Sequence, residues 1–198
     1  MARPRLFDED QVIDQVTRTF WERGYANTSI ADLETATGLG RQSLYCAFGD
    51  KHALFVRALE RYAALGDRHM PATAFSSAAP LEQIRCMLRA TIDTATAPDA
   101  PGACLMVQAM TEFGTTDADV LARCRANSAR IETWIGRLIE QAATVGVLAP
   151  GLTPATVTTL VMAQHFGIPI LARSGVPADQ LQSSVDLLLQ QIAKPIAS

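Results

Sequence analysis

Arg41, Gln42, Ser43 and Tyr45 bring a guanidinium, a carboxamide, a hydroxyl and a phenol together within the segment GLGRQSLYCAFGDKHALF, residues 38–55. All four side chains can donate hydrogen bonds to base edges or phosphate oxygens, and none is acidic. Lys51 adds an ammonium a few residues on. The other chemistry-bearing residues are dispersed. His52, His69 and His165 fall on separate segments, and there is no G-x-S-x-G elbow, H-E-x-x-H pair or phosphate-cradling glycine loop. An enzyme is therefore not expected, and no cofactor is called for. Cys46, Cys86, Cys104 and Cys124 form no C-x-x-C pair and no paired Cys/His spacing, so no metal site is expected either.

The formal net charge of −3 opposes any general affinity for polyanions, so recognition of nucleic acid has to be local. Residues 1–70 hold nine Lys/Arg against ten Asp/Glu, with the acids crowded into 8–34. From Gly38 to Arg57 the balance reverses: Arg41, Lys51 and Arg57 face Asp50 alone. The opening residues are interrupted by acids within ten positions, and no uninterrupted apolar span of membrane length is read along the chain. A cytoplasmic protein with reduced thiols and no membrane partner is expected.

A polar segment of this kind needs elements to hold it. The acidic start FDEDQ and the spacing of Val12, Ile13, Val16, Phe20 and Trp21 predict a helix from about Asp8 to Arg23, stopped by Gly24. Thr28 or Ser29 caps a second helix with Ile30, Leu33 and Ala36 on its apolar side; Ser29 with Asp32 partly meets the capping-box pattern. Gly38-Leu39-Gly40 turns the chain into a third helix, Arg41 to Phe48, and Asp50 caps a fourth from Lys51 to about Arg68. An eight-residue helix is not stable alone, so these helices must pack on one another. The glycine turn makes the second and third cross steeply, with Leu44 and Phe48 inward and the polar residues outward.

Residues 70–80, rich in Pro, Ser and Ala, mark a junction, and every periodic segment beyond them is helical. Leu81, Ile84, Leu88 and Ile92 line one helix; CLMVQAMTEF is a short one; 117–145 is a long amphipathic one. Thr153 with Pro154 opens another to about Arg173, and Pro177 opens the last.

The run TSIADLETATGLGRQSLYCAFGDKHALF resembles the DNA-binding signature of TetR-family transcriptional regulators. T-S, an alanine-rich second helix, a glycine turn, L-Y, an aromatic, then K and L-F follow in register. The resemblance implies an all-α fold of about nine helices. Residues 1–50 would form a three-helix helix-turn-helix DNA-binding domain, and 51–198 a larger effector-binding and dimerisation domain joined to it by the fourth helix. It further implies a homodimer on a palindromic operator in double-stranded DNA, its third helices in the major groove. Thr28 would meet phosphate, Arg41, Gln42 and Ser43 would approach bases, Tyr45 would meet a phosphate or thymine methyl, and Lys51 would meet the backbone. Arg3 and Arg5 form either a basic arm or a solvated tail. Cys46 and Ala47 depart from the family pattern, so base readout leans on Arg41 and Gln42.

For the remainder, the resemblance implies dimerisation through the last two helices and a small-molecule pocket. Val157, Leu160, Val161 and Gln164 on one helix, with Leu181, Val185, Leu188 and Ile192 on the other, give two stripes suited to a four-helix bundle about a two-fold axis, or to the subunit's own core. Cys86, Met87, Met106, Met110 and Phe113, with Trp134, His165 and Phe166, are either pocket lining or plain core. His165 is a hydrogen-bonded core residue or a polar anchor for a ligand. Cys104 resembles the G-C-L cysteine of electrophile-responsive relatives, with Ala103 inserted, and is either a buried small hydrophobe or a thiol sensor. The resemblance thus implies a small apolar or electrophilic effector that releases a repressor. An effector-dependent activator, or a helical module that binds protein through the RQSLY face, are the alternatives.

Overall fold

The computed structural model describes residues 7–69 and 79–194, with the side chains of 67–69 left aside. Arg3, Arg5 and most of the expected 70–80 junction lie outside the described residues. The elements are α1 (Glu9–Arg23), α2 (Ile30–Thr37), α3 (Arg41–Phe48), α4 (Lys51–His69), α5 (Pro80–Thr96), α6 (Leu105–Phe113), α7 (Ala118–Thr144), α8 (Pro154–Arg173) and α9 (Ala178–Ile192). No strand is formed among the described residues beyond one isolated bridge, Leu148 with Ala193.

The capping chemistry explains where these helices start. Asp8 accepts from the N–H groups of Asp10 and Gln11 at 2.9 and 3.4 Å. Of the two candidate caps for α2, Ser29 serves, and the capping box closes: its Oγ accepts from Asp32 N–H at 3.1 Å while Asp32 Oδ2 accepts from Ser29 N–H at 2.8 Å. Asp50 Oδ1 accepts from Ala53 N–H at 2.8 Å at the start of α4, and Asp117 Oδ1 from Val120 N–H at 3.0 Å at the start of α7. Thr153 caps α8 with Pro154 in its first turn.

The chain packs as two compact units, and they do not divide at residue 50. The first comprises 1–66 with 104–125; the second comprises 67–103 with 126–198. Leu54, Phe55, Ala58 and Leu59 of α4 are buried in one core with Val16 and Phe20 of α1, Leu33 of α2, Leu44 of α3, and Leu105, Met106 and Ala109 of α6. α4 is thus the spine of the first unit as far as Gly66, and its last residues, from Asp67, are counted with the second. Three short helices offer too little apolar area to close alone, and α6 with the first turns of α7 supplies the missing wall. Aromatic rings fill the centre: Phe20 lies 5.0 Å from Phe55, and Tyr25 lies 5.0 Å from Phe55 and 4.8 Å from Phe113. A two-pronged ion pair from Arg61 to Asp14, at 2.6 and 2.8 Å, sets α4 against α1.

The second unit buries Ile84, Leu88 and Ile92 of α5 with Ile135 and Ile139 of α7, Val157, Val161 and Ile168 of α8, and Leu181, Val185, Leu189 and Ile192 of α9. Arg85 pairs with Asp186 and joins α5 to α9. α8 is long and apolar enough to cross a membrane by length and composition alone, but Thr158, Gln164 and His165 interrupt it and its Val157, Val161 and Ile168 are spent on this core.

Candidate nucleic-acid interface

α3 has one dry face and one wet one. Leu44 and Phe48, four residues apart, are buried, while Arg41, Gln42, Ser43 and Cys46 are exposed and Tyr45 is half-buried. Gly40 occupies the N-cap and has no side chain to satisfy the first amides of α3. Glu34 of α2 does so instead, its Oε1 accepting from Arg41 N–H at 2.7 Å. That bond fixes the α2–α3 crossing from the polar side, as Leu33 and Leu44 do from the apolar side. Gly38, at φ 69°, makes the left-handed step the turn requires. The Arg41 guanidinium stands 5.1 Å above the Tyr45 ring, one helical turn on, which pre-orders a long side chain.

Lys51, in the first turn of α4, holds its Nζ 4.2 Å from the centre of the Tyr25 ring. Burial pushes its pKa down, opposed by the Glu112 and Asp32 carboxylates. Tyr25 itself is pushed up, by burial first and then by Asp50, Asp117 and Tyr45. The neighbouring His52 is tied by Nε2 to Asp117 Oδ2 at 2.6 Å, and that carboxyl lies below its usual range through the Val120 amide and then His52.

Thr28 is a correction. It is 0% exposed, and its hydroxyl donates to the Gly24 carbonyl at 2.6 Å, so it closes the α1–α2 loop and has no surface for a phosphate. The clue was present: Thr28 follows Gly24 by four residues, the spacing of hydroxyl-to-carbonyl back-bonding. Glu34, which accepts from Arg41 N–H, and Tyr25, whose ring lies under the Lys51 ammonium, were missed; each acts through a contact that no local spacing announces.

The pocket residues divide between the two units. Met106 is buried in the first core with its Sδ 3.9 Å from the Cys124 Sγ, Phe113 belongs to the aromatic cluster, and Met110 is 46% exposed. Cys104, half-buried at the N-cap of α6, shares a hydrogen bond with the Tyr62 hydroxyl. In the second unit Met87 is buried, and Cys86, Trp134, His165 and Phe166 are half-buried. His165 Nδ1 lies 3.1 Å from Thr91 Oγ1, and burial pushes its pKa down to about 4, so the imidazole is neutral at ordinary pH.

The dimer stripes also divide. Val157, Val161, Leu181, Val185 and Ile192 are buried in the subunit's own core and have no surface left for a partner. Their 3–4 spacing identified an apolar face without saying what covers it. Leu160 is exposed, Gln164 and Leu188 half-buried, and Ile170, Leu171 and Leu187 are further exposed apolar residues of α8 and α9. Gln164 Nε2 donates to Ser184 Oγ at 2.8 Å, across α8 and α9.

Comparison with known proteins fits this arrangement. Residues 12–58 match the model of bacterial regulatory proteins of the tetR family, and residues 80–188 that of the tetracyclin repressor-like C-terminal domain. The HTH-type transcriptional repressor ComR of Escherichia coli (strain K12) is 28% identical over 181 residues, 91% of this chain and 86% of that protein. The uncharacterized HTH-type transcriptional regulator YezE of Bacillus subtilis (strain 168) is 25% identical over 96% of this chain and 98% of its own length. A cysteine mutant of the TetR family transcriptional regulator CifR, solved with 26bp double-strand operator DNA, superposes at a TM-score of 0.83 with 27% identity, over 96% of this chain and 100% of that one. With its N-terminal helices and most of the remaining chain both matched, the protein belongs to the TetR family of bacterial transcriptional regulators.

Proposed function

We propose that this regulator is a homodimeric repressor that binds a palindromic operator in double-stranded DNA through α3 and is released by a small-molecule effector. The observation that carries the reading is the wet face of α3: three exposed donors and a half-buried phenol, no acid among them, on a helix fixed from both sides. Arg41 and Gln42 read bases, Ser43 and Tyr45 support them, and Lys51 meets the phosphate backbone. Two such helices, related by a two-fold axis, require half-sites about one helical turn, roughly 34–36 Å, apart or a multiple of it.

Leu160, Ile170 and Leu171 of α8 and Leu187 of α9 supply the dimer surface in place of the buried stripe. The neutral His165 in an apolar unit suits an uncharged effector, which binds one dimer geometry better than the other and lowers operator affinity by that difference. A second reading, an electrophilic effector captured at Cys104, is favoured by the hydrogen bond between that thiol and the Tyr62 hydroxyl.

Selection from random oligonucleotides at low salt, followed by anisotropy titrations, tests the DNA reading. Arg41→Ala costs about 1–3 kcal/mol on the selected site and relaxes one base position, while Lys51→Ala weakens selected and random duplexes alike. Equal losses on both duplexes for both variants, or no palindrome recovered, refutes it.

A further inference from the structure

Glu112, near the end of α6, is bound by none of the roles above, yet its carboxylate reaches across 86 positions of sequence to the α1–α2 loop. Oε1 accepts from Tyr25 N–H at 3.1 Å and Oε2 from Ala26 N–H at 2.7 Å. The loop is shaped to receive it: Gly24 has φ 76° and ψ 174°, and a Cβ there would stand 2.4 Å from Glu112 Oε1. One turn earlier on α6, Gln108 Nε2 donates to the Trp21 carbonyl at 3.4 Å, so α6 meets both the last turn of α1 and the loop that follows. The residue whose backbone Glu112 grips carries the ring over which the Lys51 ammonium sits, 4.2 Å from its centre.

We propose that Glu112 is a positioning residue for DNA binding: by fixing the backbone of Tyr25 it fixes the ring that holds Lys51 in register for a phosphate. The carboxylate touches no DNA. It acts through the chain Glu112, Tyr25, Lys51, all within the first unit, and rests on the reading of Lys51 as a backbone contact. Charge alone argues the opposite way, because a carboxylate near a phosphate-binding lysine repels DNA and its removal should tighten binding. The two accounts therefore differ in sign.

The test is the affinity of the full-length protein for the selected palindrome, and for a random-sequence duplex at low salt, measured across a salt series. In Lys51→Ala the slope of log affinity against log salt falls by about one per protomer, the share of one phosphate contact. Glu112→Gln, whose carboxamide can accept from only one of the two amides, weakens binding about five- to tenfold and lowers the slope part of the way. In the Lys51→Ala background the same change costs less than twofold. Tyr25→Leu reproduces the loss of slope and Tyr25→Phe, which keeps the ring, does not, so the tyrosine pair decides the matter if Glu112→Gln folds poorly. Tighter binding by Glu112→Gln, weaker binding at unchanged slope, or an equal loss with and without Lys51 overturns the proposal. A wild-type protein that binds neither duplex overturns the DNA reading beneath it instead.

Discussion

Gly24→Ala exposes the energetics of the α1–α2 loop most directly. At φ 76° and ψ 174° Gly24 sits in a region that only glycine enters freely, so an alanine carries about 1–3 kcal/mol of backbone strain. Its Cβ also meets Glu112 Oε1 at 2.4 Å. The carboxylate ends a flexible side chain and can swing aside, but it then abandons its bonds to Tyr25 and Ala26, about 1–2 kcal/mol for a solvent-accessible pair. The total is roughly 2–5 kcal/mol. Gly38→Ala is the control: φ there is 69° and a Cβ meets nothing within 4 Å, leaving only the left-handed penalty of about 1–2 kcal/mol. Urea unfolding in a Trp134→Phe background, which leaves Trp21 as reporter of the first unit, measures both. Glu112→Ala loses the two bonds by itself, so the double variant loses them once and the single costs exceed the double by about 1–2 kcal/mol. Strict additivity, or a Gly24→Ala no worse than Gly38→Ala, would refute the reasoning.

If Leu160 and Leu187, 47% and 58% exposed, lie on the proposed dimer surface, replacing both by aspartate leaves a monomer in sedimentation velocity and abolishes palindrome binding, while far-ultraviolet dichroism is retained. His165, depressed from 6.5 to about 4, binds no proton in the folded state where the unfolded chain does. Stability therefore falls as pH drops from 6.5 toward 4, by up to roughly 3 kcal/mol, and His165→Gln flattens that fall in urea midpoints. The thiols differ by exposure: Cys46 on α3 is labelled by maleimide in the native protein, whereas Cys124, buried and pushed up to about 11, reacts only on unfolding. If the Cys104 reading holds, diamide releases the operator from wild type and not from Cys104→Ser.

Local chemistry was legible. Asp8, Ser29 with Asp32, Gly38-Leu39-Gly40 and Thr153 with Pro154 each announce a helix boundary within one turn, and the boundaries stand within a residue or two of where those signals place them. The outward face of α3 followed from Leu44 and Phe48 alone. What periodicity could not supply was the neighbour. Val185 and Ile192 belong to a stripe that looks the same whether it meets a second copy or its own core. Phe113 and Met106 could be read as pocket lining or as core, and they belong to the core around α4, where they add apolar area that the first three helices lack. The acids that brace the interface, Glu34 and Glu112, carry no local mark of their role, since a carboxylate seven or eighty-seven positions from its amide partner reads as an ordinary surface charge.

Because the first unit is assembled from 1–66 and 104–125, it cannot close until residue 125 has been made. At about 5–20 residues per second, some 3–12 s pass between synthesis of residue 66 and of residue 125. Throughout that interval Phe55 and its neighbours await their cover, a window in which a ribosome-associated chaperone has something to hold. A shortened fragment ending at α4 would stay in that condition permanently, so the isolated reading head is a poor reagent unless its bare flank is first resurfaced.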